Sequence, residues 1–444
     1  MTVPVPNNPQ TIRDYRSRWC VIGAGPCGLT AAKNLHHAGL EVDVIEREDD
    51  VGGNWYYGKP SSSVFASTHL ISSKRMTEYT DYPMPKSFPP FPSHQQAWAY
   101  LRDYAWHFGL YPLIAFGTSV EAAEPAADGG WHVRLSTGET RHYRGLIVAN
   151  GHHWDPCYAE LPGIFTGEQL HAHNYKTPDV LKGKRVLVIG AGNSGCDLAV
   201  EAAQHADAAT ISLRRGYHFL PKFLLGRPID SCGNWLQSWH VPLWLRRKIT
   251  AGLIRIAVGP LDNYGLPQPD HRLFETHPII NSQLLYFVGH GRIGVRPAIE
   301  NIQGDEVEFA DGRRETFDLL VHATGYHVRF PFLDSRLLLE ENGLPRLFLN
   351  VFPPARDDLF VIGLIQPNSG IWGLADLQSQ LLARYLKARE QGTSVTWFEK
   401  LKARGPADLS GGIHYLKSPR HAIEVEYFSY RRRLRKLIGQ LPPA

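Results

Sequence analysis

The chain has 444 residues, which is enough for two or three domains. With 47 Lys and Arg against 43 Asp and Glu, its net charge is +4, and so small an excess excludes a protein that coats nucleic acid. Hydrophobic residues make up 43% of the chain, which excludes disorder. No apolar run approaches the ~18–20 residues of a membrane span, and the N-terminus lacks the apolar centre of a secretory signal.

The number and spacing of the cysteines and histidines indicate neither thiol catalysis nor a metal site. The five cysteines are an odd number without a CxxC pair, which predicts a reducing, cytoplasmic compartment: Cys20, Cys27, Cys157, Cys196 and Cys232. The tight histidine clusters, at 152–154 and 171–173, have no acidic or thiol partners at metal spacing. We therefore predict structural roles for these clusters and no metal site.

A β–α–β unit opens the chain. The apolar run WCVI at 19–22 leads into a Gly-rich loop, a helical pattern and the strand EVDVIE. In the loop, Gly23 allows a tight turn, Gly25 lets a diphosphate approach the backbone, and Gly28 lets the helix pack closely on the strand. Glu46 ends the second strand, where a carboxylate accepts from ribose hydroxyls. The predicted nucleotide contacts of this unit are Gly23, Ala24, Gly25, Pro26, Cys27, Gly28 and Glu46.

The same unit returns once, about 167 residues later, in KRVLVIGAGNSG. Aligning VDVIER of the first copy with TISLRR of the second puts Arg214 at the position of Glu46. A cation there selects a 2′-phosphate, which predicts NADPH, although Arg214 and Arg215 are also compatible with an ordinary solvated loop. The predicted contacts of the second unit are Gly190, Gly192, Asn193, Ser194, Gly195, Ser212, Arg214 and Arg215.

Other elements follow in order. The patterns predict an amphipathic helix over 94–109, another over 243–257, and a last long helix over 375–392 that stops at Gly392. The basic cluster at 431–436 is interpreted as a solvated helix face. GLIQPNSG ends a strand before the last long helix, so Asn368 and Gln378 are candidates for the flavin pyrimidine or for simple surface roles.

Two nucleotide sites of opposite preference imply that hydride passes from NADPH to FAD. The predicted fold is α/β with two dinucleotide-binding, Rossmann-like domains, the NADPH domain being inserted in the FAD domain. We place the FAD domain at 11–164 and 300–444 and the NADPH domain at 165–299.

The sequence resembles the flavin-containing monooxygenases over about residues 18–385. The stretch from Phe165 to Tyr175 fits the family fingerprint FxGxxxHxxxY, directly ahead of the second Gly-rich loop. The related Baeyer–Villiger monooxygenases carry Trp where this chain has Tyr175. Further matches are Gly52-Gly53-Asn54-Trp55, Asn263-Tyr264-Gly265-Leu266 and Ala323-Thr324-Gly325-Tyr326.

The resemblance implies an FAD-containing, NADPH-dependent monooxygenase. Dioxygen would add to the reduced flavin as a hydroperoxide, and a small soft nucleophile, an amine or a sulfide, would take one oxygen atom. Baeyer–Villiger oxygenation of a ketone and an uncoupled NADPH oxidase or redox sensor remain open. The expected partners are dioxygen and a small molecule, without nucleic acid or a membrane span, and a homodimer is an open arrangement.

One departure from the family concerns the nicotinamide and flavin contact. The family has Asn in a segment like T-N-x-S-K, and this chain has Ile71, followed by Ser72, Ser73 and Lys74. Either Ser72 or Ser73 supplies the missing donor, or bound NADP alone protects the adduct. In both cases we expect more uncoupling than in a typical family member, and no residue is named as certainly catalytic. The resemblance further implies cofactor contacts at Asn54, Trp55, Ile71, Ser72, Val120 and Thr324.

Overall fold

A computed structural model describes residues 12–231, 241–277, 279–416 and 421–444 of the chain, so Cys232 and residue 11 lie outside the described residues. The described strands are β1 (Ile12–Ile22), β2 (Val42–Ile45), β3 (Ile114–Ala115), β4 (Val120–Pro125), β5 (Trp131–Leu135), β6 (Thr140–Val148), β7 (Gly163–Phe165), β8 (Glu168–His171), β9 (Arg185–Ile189), β10 (Ala208–Ser212), β11 (Phe219–Leu220), β12 (Phe223–Leu224), β13 (Arg227–Pro228), β14 (Ile279–Ile280), β15 (Ile293–Arg296), β16 (Ile299–Gly304), β17 (Glu306–Phe309), β18 (Arg314–Thr316), β19 (Leu319–His322), β20 (Leu359–Val361), β21 (Gln366–Pro367) and β22 (Glu424–Val425).

The described α-helices are α1 (Pro26–His37), α2 (Lys74–Thr77), α3 (His94–His107), α4 (Asn193–His205), α5 (Leu243–Val258), α6 (Gln283–Gly289), α7 (Trp372–Glu390), α8 (Thr396–Lys402) and α9 (Tyr427–Gln440). Helix α3 begins with a capping box in which the Ser93 hydroxyl accepts from the Gln96 amide and the Gln96 side chain accepts from the Ser93 amide. Gly109, at φ +62°, follows its end. The predicted helices at 94–109, 243–257 and 375–392 are confirmed, with small shifts of their ends.

The first sheet has a parallel half and an antiparallel half. Strands β3, β2, β1, β6 and β20 run parallel in that spatial order, and β4 and β5 add an antiparallel extension at the first half of β6. Apolar side chains of α1, α3, α7 and α9 cover one face of the parallel half, and a second cluster that includes Trp131 and Phe330 covers the other. Both faces of the parallel strands are therefore buried, as in doubly wound folds.

The second sheet is wholly parallel, in the order β15, β10, β9, β19, β8. Strand β19 pairs with β8 and β9 although it lies beyond residue 299, the predicted end of the NADPH domain. Strands β18, β17, β16 and β7 form a smaller, separate sheet in that order. The predicted domain boundaries stay predictions, and this pairing favours an end of the inserted unit near residue 323. The α/β class with two Rossmann-like sheets is confirmed.

Within the described residues, the chain passes between the two sheets twice, and the two passages are hydrogen-bonded to each other. Pro156 and Tyr326 form an antiparallel bridge. The Cys157 amide donates to the Gly325 carbonyl at 2.9 Å, and the His327 amide donates to the Asp155 carbonyl at 2.9 Å. The outgoing and returning segments therefore form a short two-stranded ribbon. None of the helices in the described part of the chain combines the length and the apolarity that a bilayer span needs.

Candidate active site

The first Gly-rich loop is closed by backbone contacts that admit only glycine at two positions. Gly23 has φ +102°, and a Cβ on it would lie 2.9 Å from the Ala149 carbonyl oxygen. A Cβ on Gly28 would lie only 1.8 Å from the carbonyl oxygen of Gly23, so α1 packs directly on the loop. The roles predicted for Gly23 and Gly28, a tight turn and close helix packing, are confirmed by this geometry.

The middle of the loop faces a second glycine pair. Gly25 precedes α1 and Pro26 is its first residue, so the start of the helix is backbone without bulky side chains. A Cβ on Gly53 would lie 2.9 Å from the Cα of Gly25. Burial raises the pKa of the Cys27 thiol to about 12, and its sulfur packs against Gly363. Cys27 is therefore a packing residue of the loop and not a thiolate.

Glu46 directly follows β2 beneath the first loop and is only 4% exposed. Its carboxylate accepts from the Ala24 amide at 2.6 Å and from the Glu48 amide at 2.9 Å. Burial raises the pKa of this carboxyl, and the two amide hydrogen bonds oppose the shift. The carboxylate thus holds the Gly-rich loop in shape in addition to lying where a ribose contact is predicted.

The second Gly-rich loop repeats this geometry closely. Gly190 has φ +101°, and a Cβ on it would lie 2.7 Å from the Ala323 carbonyl oxygen. A Cβ on Gly195 would lie 2.0 Å from the carbonyl oxygen of Gly190. Gly192 precedes α4, Asn193 accepts from the Ile280 amide at 2.9 Å through Oδ1, and Ser194 is exposed.

The strand register corrects the alignment of the two units. In the first unit the Gly23 amide donates to the Ile45 carbonyl at 2.9 Å, and in the second the Gly190 amide donates to the Ser212 carbonyl at 3.1 Å. Ser212 is therefore the counterpart of Ile45. Its hydroxyl donates to the Pro297 carbonyl at 2.7 Å, so it is bonded within the protein.

Leu213, and not Arg214, stands where the first unit has Glu46. The alignment of Arg214 with Glu46 is wrong by one residue, because the sequence match ignored the strand pairing that fixes the register. Arg214 is instead the counterpart of Arg47. Arg214 and Arg215 are both exposed, and neither makes an ion pair with a residue that the structure describes. Their predicted phosphate contact stays a prediction that this exposure supports.

Helix α2, which follows Ile71 in the chain, lies against Gly370 and the first turn of α7. A Cβ on Gly370 would lie 2.2 Å from the Met76 carbonyl oxygen, and one on Gly373 would lie 3.0 Å from that of Glu78. Ile71 is 37% exposed, an unusual state for isoleucine, whereas Ser72 Oγ lies 2.8 Å from Thr77 Oγ1 in a hydrogen bond.

Asp230 is a residue of this region that the sequence analysis missed. Its Oδ2 accepts from the Ser73 amide at 2.6 Å, across 157 positions of sequence. Burial raises the pKa of its carboxyl, and the Ser73 amide opposes that shift. No local signal marks Asp230, because only the tertiary fold brings it to Ser73.

Several other predicted contacts are engaged with protein groups. Asn54 accepts from the Ser63 amide at 2.7 Å, and Trp55 packs edge-on against Trp372. The Thr324 hydroxyl donates to the Cys157 carbonyl, and Val120 is half-buried at the start of β4. These four remain predictions as cofactor contacts.

The two candidates near α7 differ. Asn368 accepts from the Tyr427 amide at 3.1 Å, at the loop before α7 where the prediction put it. Gln378 is fully buried; its Oε1 accepts from the Gly363 amide at 2.9 Å, and its Nε2 donates to the Tyr430 hydroxyl at 2.8 Å. Both ends of the Gln378 amide are bonded, so this residue fits a structural role better than a flavin contact.

The family fingerprint lies at the seam between the two sheets. Tyr175 is 1% exposed and donates to Glu201 Oε2 of α4 at 2.8 Å. His171 is buried with its ring edge-on to Tyr326 of the connecting ribbon, and burial lowers its pKa to about 4. His173 lies 2.8 Å from the Pro60 carbonyl through Nε2. The structural role predicted for the histidines at 171–173 agrees with these contacts.

The sequence matches the Flavin-binding monooxygenase-like family over residues 16–443. The chain belongs to this family. It is 33% identical over 460 residues to flavin-containing monooxygenase 5 of Rattus norvegicus, covering 96% of this chain and 84% of the relative. It is also 33% identical over 396 residues to dimethylaniline monooxygenase [N-oxide-forming] 2 of Pan troglodytes, covering 83% and 72%.

Solved structures share the fold. The S-allyl-L-cysteine S-oxygenase of Allium sativum superimposes with a TM-score of 0.66 at 22% identity, covering 95% of this chain and 88% of that one. Closed cyclohexanone monooxygenase also gives a TM-score of 0.66 at 18% identity, covering 98% and 100%. The family membership makes this protein an NADPH- and FAD-dependent monooxygenase.

The residues present fit both cofactors. Each Gly-rich loop leads directly into a helix whose first amides have no partner in their own helix, the arrangement that binds a diphosphate. The buried carboxylate of Glu46 suits an unphosphorylated ribose, and the exposed guanidinium groups of Arg214 and Arg215 suit a 2′-phosphate.

Proposed function

We propose that this monooxygenase inserts one oxygen atom of dioxygen into a small soft nucleophile, an amine nitrogen or a sulfide sulfur. FAD binds at the loop of Gly23 to Gly28, and NADPH binds at the loop of Gly190 to Gly195. The observation that carries the assignment is the pair of matched loops with different groups after the second strand: a buried carboxylate at Glu46 and exposed cations at Arg214 and Arg215.

The chain's own residues bind, orient and exclude water. The chemistry that bound FAD would supply is the acceptance of hydride from NADPH and the activation of dioxygen. Glu46 fixes the first loop through the Ala24 amide and orients the ribose. Arg214 and Arg215 hold the 2′-phosphate from the surface. Ile71 presents a partly exposed apolar side chain, which offers no hydrogen bond to a bound cofactor.

The nucleophile preference is supported by the relatives and by Tyr175. The name of one relative describes N-oxide formation by that protein, and the name of one structural neighbour describes S-oxygenation by that protein. Tyr175, whose hydroxyl donates a hydrogen bond to Glu201, occupies the fingerprint position where Baeyer–Villiger enzymes typically carry Trp. Ketone oxygenation is the second candidate, and peroxide release without oxygenation is the third, favoured by the apolar Ile71.

Products separate the three candidates. The FAD-loaded protein is supplied with NADPH, ¹⁸O-labelled dioxygen and, in turn, a tertiary aromatic amine, a dialkyl sulfide and a cyclic ketone. We expect one labelled oxygen atom in the N-oxide or the sulfoxide, detected by mass spectrometry. A lactone alone would establish ketone oxygenation, and hydrogen peroxide equal to the NADPH consumed with every substrate would contradict the proposal.

The cytoplasmic compartment and the homodimer stay predictions.

A further inference from the structure

The antiparallel extension of the first sheet carries a row of metal-ligating side chains. Glu124 of β4 pairs in register with His132 of β5, His132 pairs with His142 of β6, and His142 pairs with Asp14 of β1. Residues directly opposite one another on neighbouring strands project to the same face of a sheet. Four strands therefore align two imidazoles between two carboxylates.

A third carboxylate approaches the two histidines from the turn between β4 and β5. The ligand atoms of Asp128, His132 and His142 all lie within 4.8 Å of one another. Asp128 Oδ1 is 3.9 Å from His142 Nε2, and the two imidazole rings are 4.6 Å apart between centroids. A small movement of these side chains brings all three donors to bonding distance of one ion.

The histidines of the site lie on buried strands, and its aspartate is exposed to solvent. The side chain of His142 is 3% exposed, and His132 is half-buried, whereas that of Asp128 is 57% exposed. Trp131 and Val133, the neighbours of His132 in β5, are fully buried on the opposite face. The strands therefore fix the imidazoles, and an ion enters from the side of Asp128.

The hydrogen bonds of Asp128 and His142 are compatible with metal binding. Arg16 donates to Asp128 Oδ2 at 3.1 Å, which leaves Oδ1 facing His142. His142 Nε2 lies 2.7 Å from the Gly129 carbonyl oxygen, so metal binding displaces a proton from this nitrogen. The same carbonyl oxygen then stands close enough to become a fourth ligand.

We propose that Asp128, His132 and His142 form a binding site for a divalent transition metal, with Zn²⁺, Ni²⁺ and Cu²⁺ as the class of ligand. Two imidazoles with one carboxylate suit these ions and not Mg²⁺ or Ca²⁺, which prefer oxygen ligands. The sequence analysis predicted no metal site, because nine residues separate the two histidines in the chain. The site is separate from the nucleotide loops and does not depend on the proposed function.

Calorimetry with Zn²⁺ on the full-length, FAD-loaded protein without an affinity tag tests this site. We expect one saturable site per chain. In His132→Gln the affinity should fall at least about tenfold, since loss of a mere supporting group already costs ~10–100-fold. His205→Gln, at the exposed end of α4, is the matched control and should leave the isotherm unchanged. Flavin content and the rate of NADPH oxidation should be equal in all three proteins, which establishes their folding.

Cu²⁺ electron paramagnetic resonance identifies the ligands independently. The wild-type spectrum should show nitrogen couplings from two imidazoles, and His132→Gln should retain one. Identical Zn²⁺ isotherms in the wild type and His132→Gln would overturn the proposal, as would an equal loss in His205→Gln, because adventitious binding by surface histidines would then explain the signal.

Discussion

The two β–α–β units share a backbone geometry and differ in charge at the position directly after the second strand. Their first glycines have φ +102° and +101°, and their third glycines leave 1.8 Å and 2.0 Å for a Cβ. Both units also carry an arginine at the matching position, Arg47 and Arg214. The difference is that the residue before it is Glu46 in the first unit and Leu213 in the second.

The neighbouring carboxylates decide what each arginine can do. Arg47 lies 3.7 Å from Glu48 and over the ring of Trp154, so its charge is already partnered. Arg214 has no ion-pair partner among the described residues. We therefore propose that nucleotide preference follows from the absence of a carboxylate in the second unit as much as from the presence of a cation, because the same cation in the first unit lies beside Glu46 and Glu48.

The largest expected effect comes from adding one methyl group to each third glycine. Gly28→Ala would force a Cβ into the Gly23 carbonyl, and the protein should purify colourless because the FAD loop cannot keep its shape. Gly195→Ala should purify yellow and fail to be reduced by NADPH. The measurements are the ratio of flavin to protein absorbance and the anaerobic reduction rate.

Gly252→Ala is the control for this pair. Gly252 lies in α5 with no atom near its missing Cβ, so alanine there should leave both flavin content and reduction intact. A yellow Gly28→Ala protein with normal reduction would contradict the assignment of the first loop to FAD.

Replacing Arg214 tests the charge difference between the units. Arg214→Ala removes a charge-assisted hydrogen bond worth ~1.5–3 kcal/mol, so the KM for NADPH should rise roughly ten- to hundredfold. The KM for NADH should hardly change, because NADH has no 2′-phosphate. Arg313→Ala, on an exposed turn with Asp311, is the matched loss of a surface cation. Equal losses with both coenzymes would assign Arg214 a structural role.

Acid should lower the free energy of unfolding through His171, which is buried beside the second unit. Burial lowers the pKa of His171 from its ordinary value of 6.5 to about 4, so the folded state disfavours the protonated imidazole. Stability from this group is present above pH 6.5 and is lost as the pH falls towards 4, and at pH 5 the loss is about 2 kcal/mol in the free energy of unfolding. Urea unfolding at pH 8 and pH 5 measures it.

The variant His171→Gln isolates that contribution. It should be less stable than wild type at pH 8 and should lose less stability between pH 8 and pH 5. His107→Gln, on the exposed end of α3, should follow the wild type. If His171→Gln keeps the full pH dependence, other groups carry it.

The smallest expected effect concerns Ile71. Ile71→Asn adds an amide where the family has one, and a hydrogen bond worth ~0.5–1.5 kcal/mol should lower the peroxide released per NADPH roughly two- to tenfold. Ile71→Val is the control, since it keeps an apolar side chain. Reduction by NADPH must be normal in both variants. Unchanged or higher peroxide from Ile71→Asn would mean that Ile71 does not occupy the Asn position.

Local patterns predicted correctly the backbone of the Gly-rich loops, the long helices and the position of Glu46 after a strand, because turn geometry, helix periodicity and the end of a strand are encoded within a few residues. They failed where pairing between distant strands decides. The one-residue error at Arg214, the place of β19 in the second sheet and the meeting of His132 with His142 all depend on register. Gln378 is a different failure, since its partner Tyr430 comes from a helix distant in the chain.

The paired segments at 155–157 and 325–327 determine how the two units can move. A single covalent connection would let the NADPH unit swivel freely about one bond axis, but two hydrogen-bonded crossings resist twisting. The Ala66 amide, which donates to the Lys176 carbonyl at 2.9 Å, and the Ser73 amide, which donates to Asp230, join the same two units, so these contacts together restrain the orientation of the second unit relative to the first.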